Sequence, residues 1–259
     1  MRISNFVFVV LIFVTAAPTV AQPSKTNPAA NENLRRAIAA NEQGVADIKA
    51  KRYTDAIELL QRAIQLNPGL AVAYNNLGAT YNELGQYLDA IAALKEALRL
   101  NPNYAEAYYD LGVALAGLRR YGEAIEAYQQ AIRGKPDFSQ AYNRLGATYD
   151  DAGQFEKAIR AYRRAIQIDP NYAEAYNNLG TAQAETGHFK QAAASLEAAI
   201  KLRPELAVAH YNLGVVSLWA RNREIATAQY HALSTLDTGL ADRLYAGIYR
   251  GRVLTLNTK

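Results

Sequence analysis

The feature that most constrains the fold of this chain is a repeat of 34 residues. The stretch PNYAEAY occurs at residues 102–108 and again at 170–176, two such intervals apart. Other residues recur at the same interval: glycine at 44, 78, 112, 146, 180 and 214, and proline at 68, 102, 136, 170 and 204. A period of about 20 to 50 residues indicates copied units that stack on one another rather than a single globular core.

Each repeat is predicted to be a pair of helices. Residues 71–104 begin with the i, i+3, i+4, i+7 apolar spacing of an amphipathic helix, on Tyr74, Leu77, Gly78 and Tyr81. Gly85 then suits the residue just after a helix, where a positive φ is cheap for glycine. A second helix follows, and Pro102 ends it because proline disrupts a helix interior.

The periodic glycine lies inside the first helix of each repeat, where glycine costs about 0.5–1 kcal/mol relative to alanine. We expect a close approach of the second helix to offset this cost. Alanine recurs twelve residues after each glycine, at 56, 90, 124, 158, 192 and 226. The pattern therefore predicts helix backbones that nearly touch, with this small alanine facing the glycine.

These landmarks resemble the tetratricopeptide repeat family. The matching stretches are YNNLGATY (74–81), YYDLGVAL (108–115), YNRLGATY (142–149), YNNLGTAQ (176–183) and HYNLGVVS (210–217). The resemblance covers six repeats: 37–70, 71–104, 105–138, 139–172, 173–206 and 207–240. The first repeat departs from the family pattern at Ala40 and Gln43, and the sixth at Arg223, Leu233 and Thr238, as terminal repeats often do.

The resemblance implies an all-α fold, an α-solenoid of six helix-turn-helix repeats that form a right-handed superhelix. Residues 22–36 would be a linker and the start of the first helix, and residues 241–259 a capping helix and tail. The stretch ADRLYAGIYRGRVL (241–254) is the helix-like part of that cap.

The resemblance also implies that first helices line a concave groove, which the fifth and sixth residues of each repeat tend to face. Those positions supply the candidate peptide-binding residues: Asn75, Asn76, Tyr109, Asp110, Asn143, Arg144, Asn177, Asn178, Tyr211 and Asn212. An asparagine amide both donates and accepts hydrogen bonds, so a row of them can hold the backbone of an extended peptide whatever its sequence. This row is similar to the asparagine ladder of some family members, although Asp110 and Arg144 interrupt it. The alternative is that asparagine is merely frequent here and the face is solvated.

The function predicted on this basis is an exported, non-catalytic scaffold that binds a protein or an extended peptide in the concave groove. The alternative is a structural assembly factor of the cell envelope that docks partners through its outer faces or ends. No cofactor or metal is expected. A basic set near the end of the sequence suits an acidic partner or a lipid head group: Arg221, Arg223, Arg243, Arg250 and Arg252.

The first 21 residues predict a secretory signal peptide. Arg2 precedes the short apolar run FVFVVLIFV (6–14), and small residues lead to Ala21. The run is too short for a comfortable membrane span, which takes about 20 residues. We therefore expect a periplasmic or extracellular protein without a stable span after cleavage, and an uncleaved N-terminal anchor is the alternative.

Composition excludes several kinds of chemistry. The chain has no cysteine, which rules out disulfides, thiol catalysis and zinc–thiolate sites. Its three histidines, at 188, 210 and 231, lack the i, i+4 spacing of a metal site on a helix. A net charge of +4 on 259 residues is a mild bias and does not predict nucleic-acid binding.

Overall fold

The structure is a computed structural model, and it describes residues 28–250 and 253–257. Within these residues it contains thirteen α-helices and no strand. The helices are α1 Pro28–Lys49, α2 Tyr53–Leu66, α3 Ala71–Glu83, α4 Tyr87–Leu100, α5 Ala105–Gly117, α6 Tyr121–Gly134, α7 Ser139–Asp151, α8 Phe155–Ile168, α9 Ala173–Glu185, α10 Phe189–Leu202, α11 Ala207–Trp219, α12 Arg223–Leu236 and α13 Thr238–Arg250.

The predicted all-α fold of paired helices is confirmed. Helices α1 to α12 form the six helix-turn-helix pairs of an α-solenoid, and α13 follows the last pair. Helices α3, α5, α7, α9 and α11 begin at the residues where the 34-residue period places the start of a repeat. Helix α1 begins earlier, at Pro28, so residues 28–36 of the predicted linker segment are helical. Proline is favourable in the first turn of a helix, because the N–H that it lacks has no partner there.

The chain divides into two compact units. The described part of the first unit, residues 28–134, holds α1 to α6. Each first helix packs on its own second helix, and α3 also packs on α1 and on α5. The second unit, from residue 135, holds α7 to α13, and here α9 packs on both α7 and α11. Helix α13 packs on α11 and α12, and so covers the side of the sixth pair as the predicted capping helix would.

The turns inside the pairs share one backbone conformation. Gly85, Gly153 and Gly187 have positive φ of 70°, 70° and 78°, which confirms the prediction for Gly85. The equivalent positions in the other three pairs are not glycine. They are Lys51, Arg119 and Arg221, with φ of 59°, 60° and 60°.

The periodic glycines face a different neighbour from the one the sequence predicts. A Cβ on Gly78 would lie 2.5 Å from Leu94 Cγ, and one on Gly112 would lie 2.6 Å from Tyr128 Cε1. The missing side chain therefore makes room for a large residue sixteen positions further on, and not chiefly for the alanine at twelve. The alanines are buried as well, but they fill the space beside this contact.

In the sixth pair, the large side chain that packs against the glycine comes from a different helix. Gly214 faces Leu244 of α13, whose Cδ2 would lie 2.5 Å from an added Cβ. Leu244 is fully buried in the core of the second unit. The capping helix thus inserts the large side chain that the second helix supplies in the other pairs.

No helix among the described residues is long and apolar enough to cross a membrane. The predicted signal peptide, residues 1–21, lies outside the described part of the chain. Helix α13 ends at Arg250, earlier than the helix-like stretch 241–254 suggests, and residues 253–257 are not helical.

Candidate functional site

All ten candidate residues lie on first helices. Asn75 and Asn76 are on α3, Tyr109 and Asp110 on α5, and the other six on α7, α9 and α11. Seven are buried, namely Asn75, Asn76, Asp110, Asn143, Asn177, Tyr211 and Asn212. Tyr109, Arg144 and Asn178 are half-buried. Their use in peptide binding stays a prediction. Their positions define the surface of the first helices on which a peptide would bind.

The asparagines of the second unit form one hydrogen-bonded row. Asn212 Nδ2 donates to Asn177 Oδ1 at 3.0 Å, and Asn177 Nδ2 donates to Asn178 Oδ1 at 3.2 Å. Asn178 Nδ2 donates to Asn143 Oδ1 at 3.1 Å, and Asn143 Nδ2 reaches the Tyr172 hydroxyl at 3.2 Å. We call the four asparagines 143, 177, 178 and 212 the amide row. Because its members orient one another, their remaining donors and acceptors are held in fixed directions.

The bonds between neighbouring repeats follow one rule. The sixth residue of a repeat donates to the fifth residue of the repeat before it, 35 positions earlier. The first unit obeys the same rule, since Asn76 Nδ2 donates to Asn41 Oδ1 at 2.9 Å. Asn41 is not among the candidates predicted from the sequence, which begin at the second repeat. Asn41 is the fifth residue of the first repeat, so its position in the repeat is the feature that would have identified it.

In the first unit, Asp110 is the sixth residue of its repeat, the position that holds asparagine in repeats two, five and six. It is 7% exposed, and its carboxyl is hydrogen-bonded by Asn75, the fifth residue of the preceding repeat. Burial, followed by the charges of Glu106 and Glu83, raises the pKa of Asp110 from 3.8 to about 8, against a smaller opposite effect of the Asn75 bond. The carboxyl is therefore mostly protonated at neutral pH. Within the described residues, the buried Oδ1 of Asn75 has no hydrogen-bond partner, so this pair keeps an unused acceptor.

A second acid with an altered pKa lies near the end of α7. Burial, together with the nearby charges of Asp151 and Glu185, raises the pKa of Asp150 from 3.8 to about 7. Asp150 is the twelfth residue of its repeat.

The far end of the amide row meets residues 253–257. Asn212 Nδ2 donates to the backbone oxygen of Asn257 at 2.8 Å, and the backbone N–H of Asn257 donates to Asn212 Oδ1 at 2.7 Å. The hydroxyl of Tyr211 donates to the backbone oxygen of Thr255 at 3.1 Å. The contacts of this segment were not predicted, because the five residues VLTLN do not alternate strictly between apolar and polar.

The predicted basic surface is exposed in its described part, which comprises Arg221, Arg223, Arg243 and Arg250. Three of these guanidinium groups lie against tyrosine rings. Arg243 Cζ is 4.6 Å from the Tyr211 ring centroid, Arg223 Cζ is 5.2 Å from that of Tyr249 and Arg250 Cζ is 5.7 Å from that of Tyr245. Such stacking directs the guanidinium groups while leaving them charged. Arg252 lies outside the described residues.

Comparison with known families gives matches along most of the described chain. Sequence profiles of the tetratricopeptide repeat match residues 35–103, 76–137, 127–160 and 173–206, and a TPR repeat profile matches 149–187. A search of curated protein sequences found no match.

Solved structures are similar to the chain over most of their own length. The crystal structure of MamA is 32% identical, covers 62% of this chain and 94% of its own, and has a TM-score of 0.57. YrrB, described as a TPR protein with an unusual peptide-binding site, is 27% identical, with 70% and 95% covered and a TM-score of 0.57. PilF of Pseudomonas aeruginosa is 16% identical, with 84% and 99% covered and a TM-score of 0.72, a likeness of fold alone.

Proposed function

This chain belongs to the tetratricopeptide repeat family of protein-interaction scaffolds, and from that premise we propose that it is a non-catalytic scaffold that binds an extended peptide of a partner protein on its first-helix surface. One observation carries the proposal. The side chain of Asn212 holds both the N–H and the C=O of one backbone residue, at 2.7 and 2.8 Å. An amide that pairs with both groups recognises an extended backbone independently of its side chains.

The similarity to YrrB supports the same class of ligand, since that protein is described as having a peptide-binding site. Hydrogen bonds of this kind contribute only about 0.5–1.5 kcal/mol each, so a few amides give weak binding. Tighter binding requires apolar pockets beside the amides.

Site-specific photocrosslinking tests which surface binds. A photoreactive amino acid replaces Tyr109, which lies half-buried on first helix α5, or Leu88, which is 70% exposed on second helix α4. We expect partner crosslinks from position 109 and not from position 88 in cells of the source organism. Crosslinks from position 88 alone would instead support the alternative, an assembly factor that docks partners through its outer faces.

We also propose that the protein is exported and acts outside the cytoplasm. Support comes from the apolar run at residues 6–14 and the small residues before Ala21. N-terminal sequencing of protein from fractionated cells is expected to begin at Gln22. Val10→Arg, which places a charge in the apolar run, should keep the chain uncut and inside the cell. A wild-type chain that begins at Met1 in the membrane fraction would show an uncleaved anchor instead.

A further inference from the structure

We propose that residues 253–257 are an intramolecular ligand of the second unit, which occupies the last position of the amide row and which a partner peptide of the same pattern must displace. The proposal rests on the proposed peptide-binding function. It adds the class of peptide recognised, an extended segment with leucine at alternate positions, and a means of keeping the surface closed.

The backbone contacts are those of a bound peptide. Asn212 pairs with the N–H and the C=O of Asn257, and two residues earlier Tyr211 donates to the C=O of Thr255. Contacts to every second residue from one side are the pattern expected of an extended chain lying along a surface. Asn212 and Tyr211 are both fully buried, and the segment is one of the groups that contact them.

The side chains of the segment alternate in the same way. Val253 is 95% exposed and Thr255 is exposed, whereas Leu254 is half-buried and Leu256 is 9% exposed. Leu256 belongs to the apolar core of the second unit, the cluster that also contains Tyr211 and Leu244. The surface therefore recognises two leucines one residue apart.

The seat for Leu254 is built by a glycine. A Cβ on Gly247 of α13 would overlap Leu254, and it would also lie 3.2 Å from Leu218 Cδ1 of α11. Glycine within helix α13 is unfavourable for the helix itself. Its position under Leu254 is what a pocket shaped for a leucine side chain requires.

A tethered ligand reduces the apparent affinity of any free competitor. A short tether gives an effective concentration on the order of 1 mM. If the free segment binds with a Kd on the order of 100 μM, the tethered copy fills the site about ten-fold in excess, and release of the segment tightens peptide binding about ten-fold. This is the effect to measure.

The test uses the full chain and a synthetic fluorescent peptide with the sequence of residues 250–259, RGRVLTLNTK. Leu256→Asp in the protein releases the tethered segment, because it would place a charge in the apolar core. Val253→Asp is the matched control, since Val253 is 95% exposed. We expect the Leu256→Asp chain to bind the peptide about ten-fold more tightly than wild type, and the Val253→Asp chain to bind as wild type does. Circular dichroism establishes that all three chains are equally helical.

Two modified peptides test the geometry without changing the protein. Methylation of the backbone nitrogen of Asn257 removes the donor to Asn212 Oδ1, and we expect at least a ten-fold loss of binding to the Leu256→Asp chain. Methylation at Val253 should have a much smaller effect. Equal loss from both peptides would overturn the assignment of Asn212 as the group that reads the backbone.

The outcomes separate this inference from the proposed function. Equal peptide binding by wild-type and Leu256→Asp chains, or binding by neither, overturns the intramolecular ligand, whatever the crosslinks at position 109 show. Absence of partner crosslinks at position 109, together with ten-fold tighter peptide binding by Leu256→Asp, supports the intramolecular ligand and contradicts the proposed binding of a partner on the first-helix surface around Tyr109.

Discussion

At the scale of single residues, the turn inside each helix pair shows where the sequence carries strain. Its left-handed residue is glycine in three pairs and a basic residue in the other three. A residue with a Cβ pays about 1–2 kcal/mol in this conformation, and glycine pays almost none. The backbone conformation at this position is thus the same in all six pairs, although the residue type is not. Lys51, Arg119 and Arg221 are local sites of avoidable strain.

Lys51→Gly is expected to raise the free energy of unfolding by about 0.5–1 kcal/mol, because relief of the strain exceeds the extra freedom that glycine gives the unfolded chain. Lys51 has φ of 59° and an exposed side chain, so little else changes. Gly85→Lys, at the equivalent position of the next pair, should lower the free energy by a similar amount. Urea unfolding followed by circular dichroism measures both. A loss of stability in Lys51→Gly would contradict the strain.

At the scale of helices, each pair is held by a large side chain seated against a glycine. Leu94 lies against Gly78 and Tyr128 against Gly112, across the two helices of their pairs. This contact offsets the poor helix propensity of glycine, since burying a leucine side chain contributes about 1.5–3 kcal/mol. The glycine is therefore a packing residue, and its contribution to stability depends on the large side chain sixteen positions further on.

Gly112→Ala is expected to lower the free energy of unfolding by about 1–3 kcal/mol, although alanine is the better helix former. The new Cβ would meet the Tyr128 ring at 2.6 Å. Gly122 supplies the control, because it lies in helix α6 of the same unit and an added Cβ meets nothing within 4 Å. Gly122→Ala should stabilise the chain by up to about 1 kcal/mol. Similar effects of the two substitutions in thermal unfolding would show that the Tyr128 contact carries little energy.

The helices were predictable from the sequence, but several contacts were not. The period places the starts of α3, α5, α7, α9 and α11, because glycine, alanine and proline mark each repeat. It does not show which residue faces the glycine, since Ala90 and Leu94 lie on the same side of α4 and only the packing distinguishes them. It identifies asparagine positions without showing that the amides pair with one another. That pairing depends on the distance between first helices, which no single repeat encodes.

At the scale of the whole molecule, polar pairs tie neighbouring repeats together within each unit. Asn76 pairs with Asn41 in the first unit, and Asn212 with Asn177 in the second. In repeat proteins, stability depends on such nearest-neighbour contacts as well as on each repeat. Asp110 and Asn75 form the corresponding pair at the next step of the first unit. This pair alone among those named contains a group that can ionise, so it makes the link between two repeats sensitive to pH.

The stability of the first unit should therefore fall as pH rises from about 4 to 8. The folded-state pKa of Asp110 is about 8 against 3.8 in the unfolded chain, so the folded state keeps a proton that the unfolded state releases across this window. Asp110→Asn keeps a neutral polar group and cannot ionise. We expect it to match wild type near pH 4 and to be more stable by a few kcal/mol above pH 8, with about 6 kcal/mol as the upper bound.

Asp89→Asn is the control for this pH dependence, since Asp89 is an exposed residue of helix α4 in the same unit. Its difference from wild type should stay within about 0.5 kcal/mol across the window. Urea unfolding of the three chains at steps between pH 4 and 9 gives the comparison. The free energies of unfolding of wild type and Asp110→Asn diverge with pH only if folding raises the pKa of Asp110. Parallel plots of free energy against pH would therefore mean that Asp110 is ionised at neutral pH in the folded chain. The Asn75–Asp110 hydrogen bond would then join two repeats through an ionised carboxylate, and this position would carry a negative charge instead of a protonated acid.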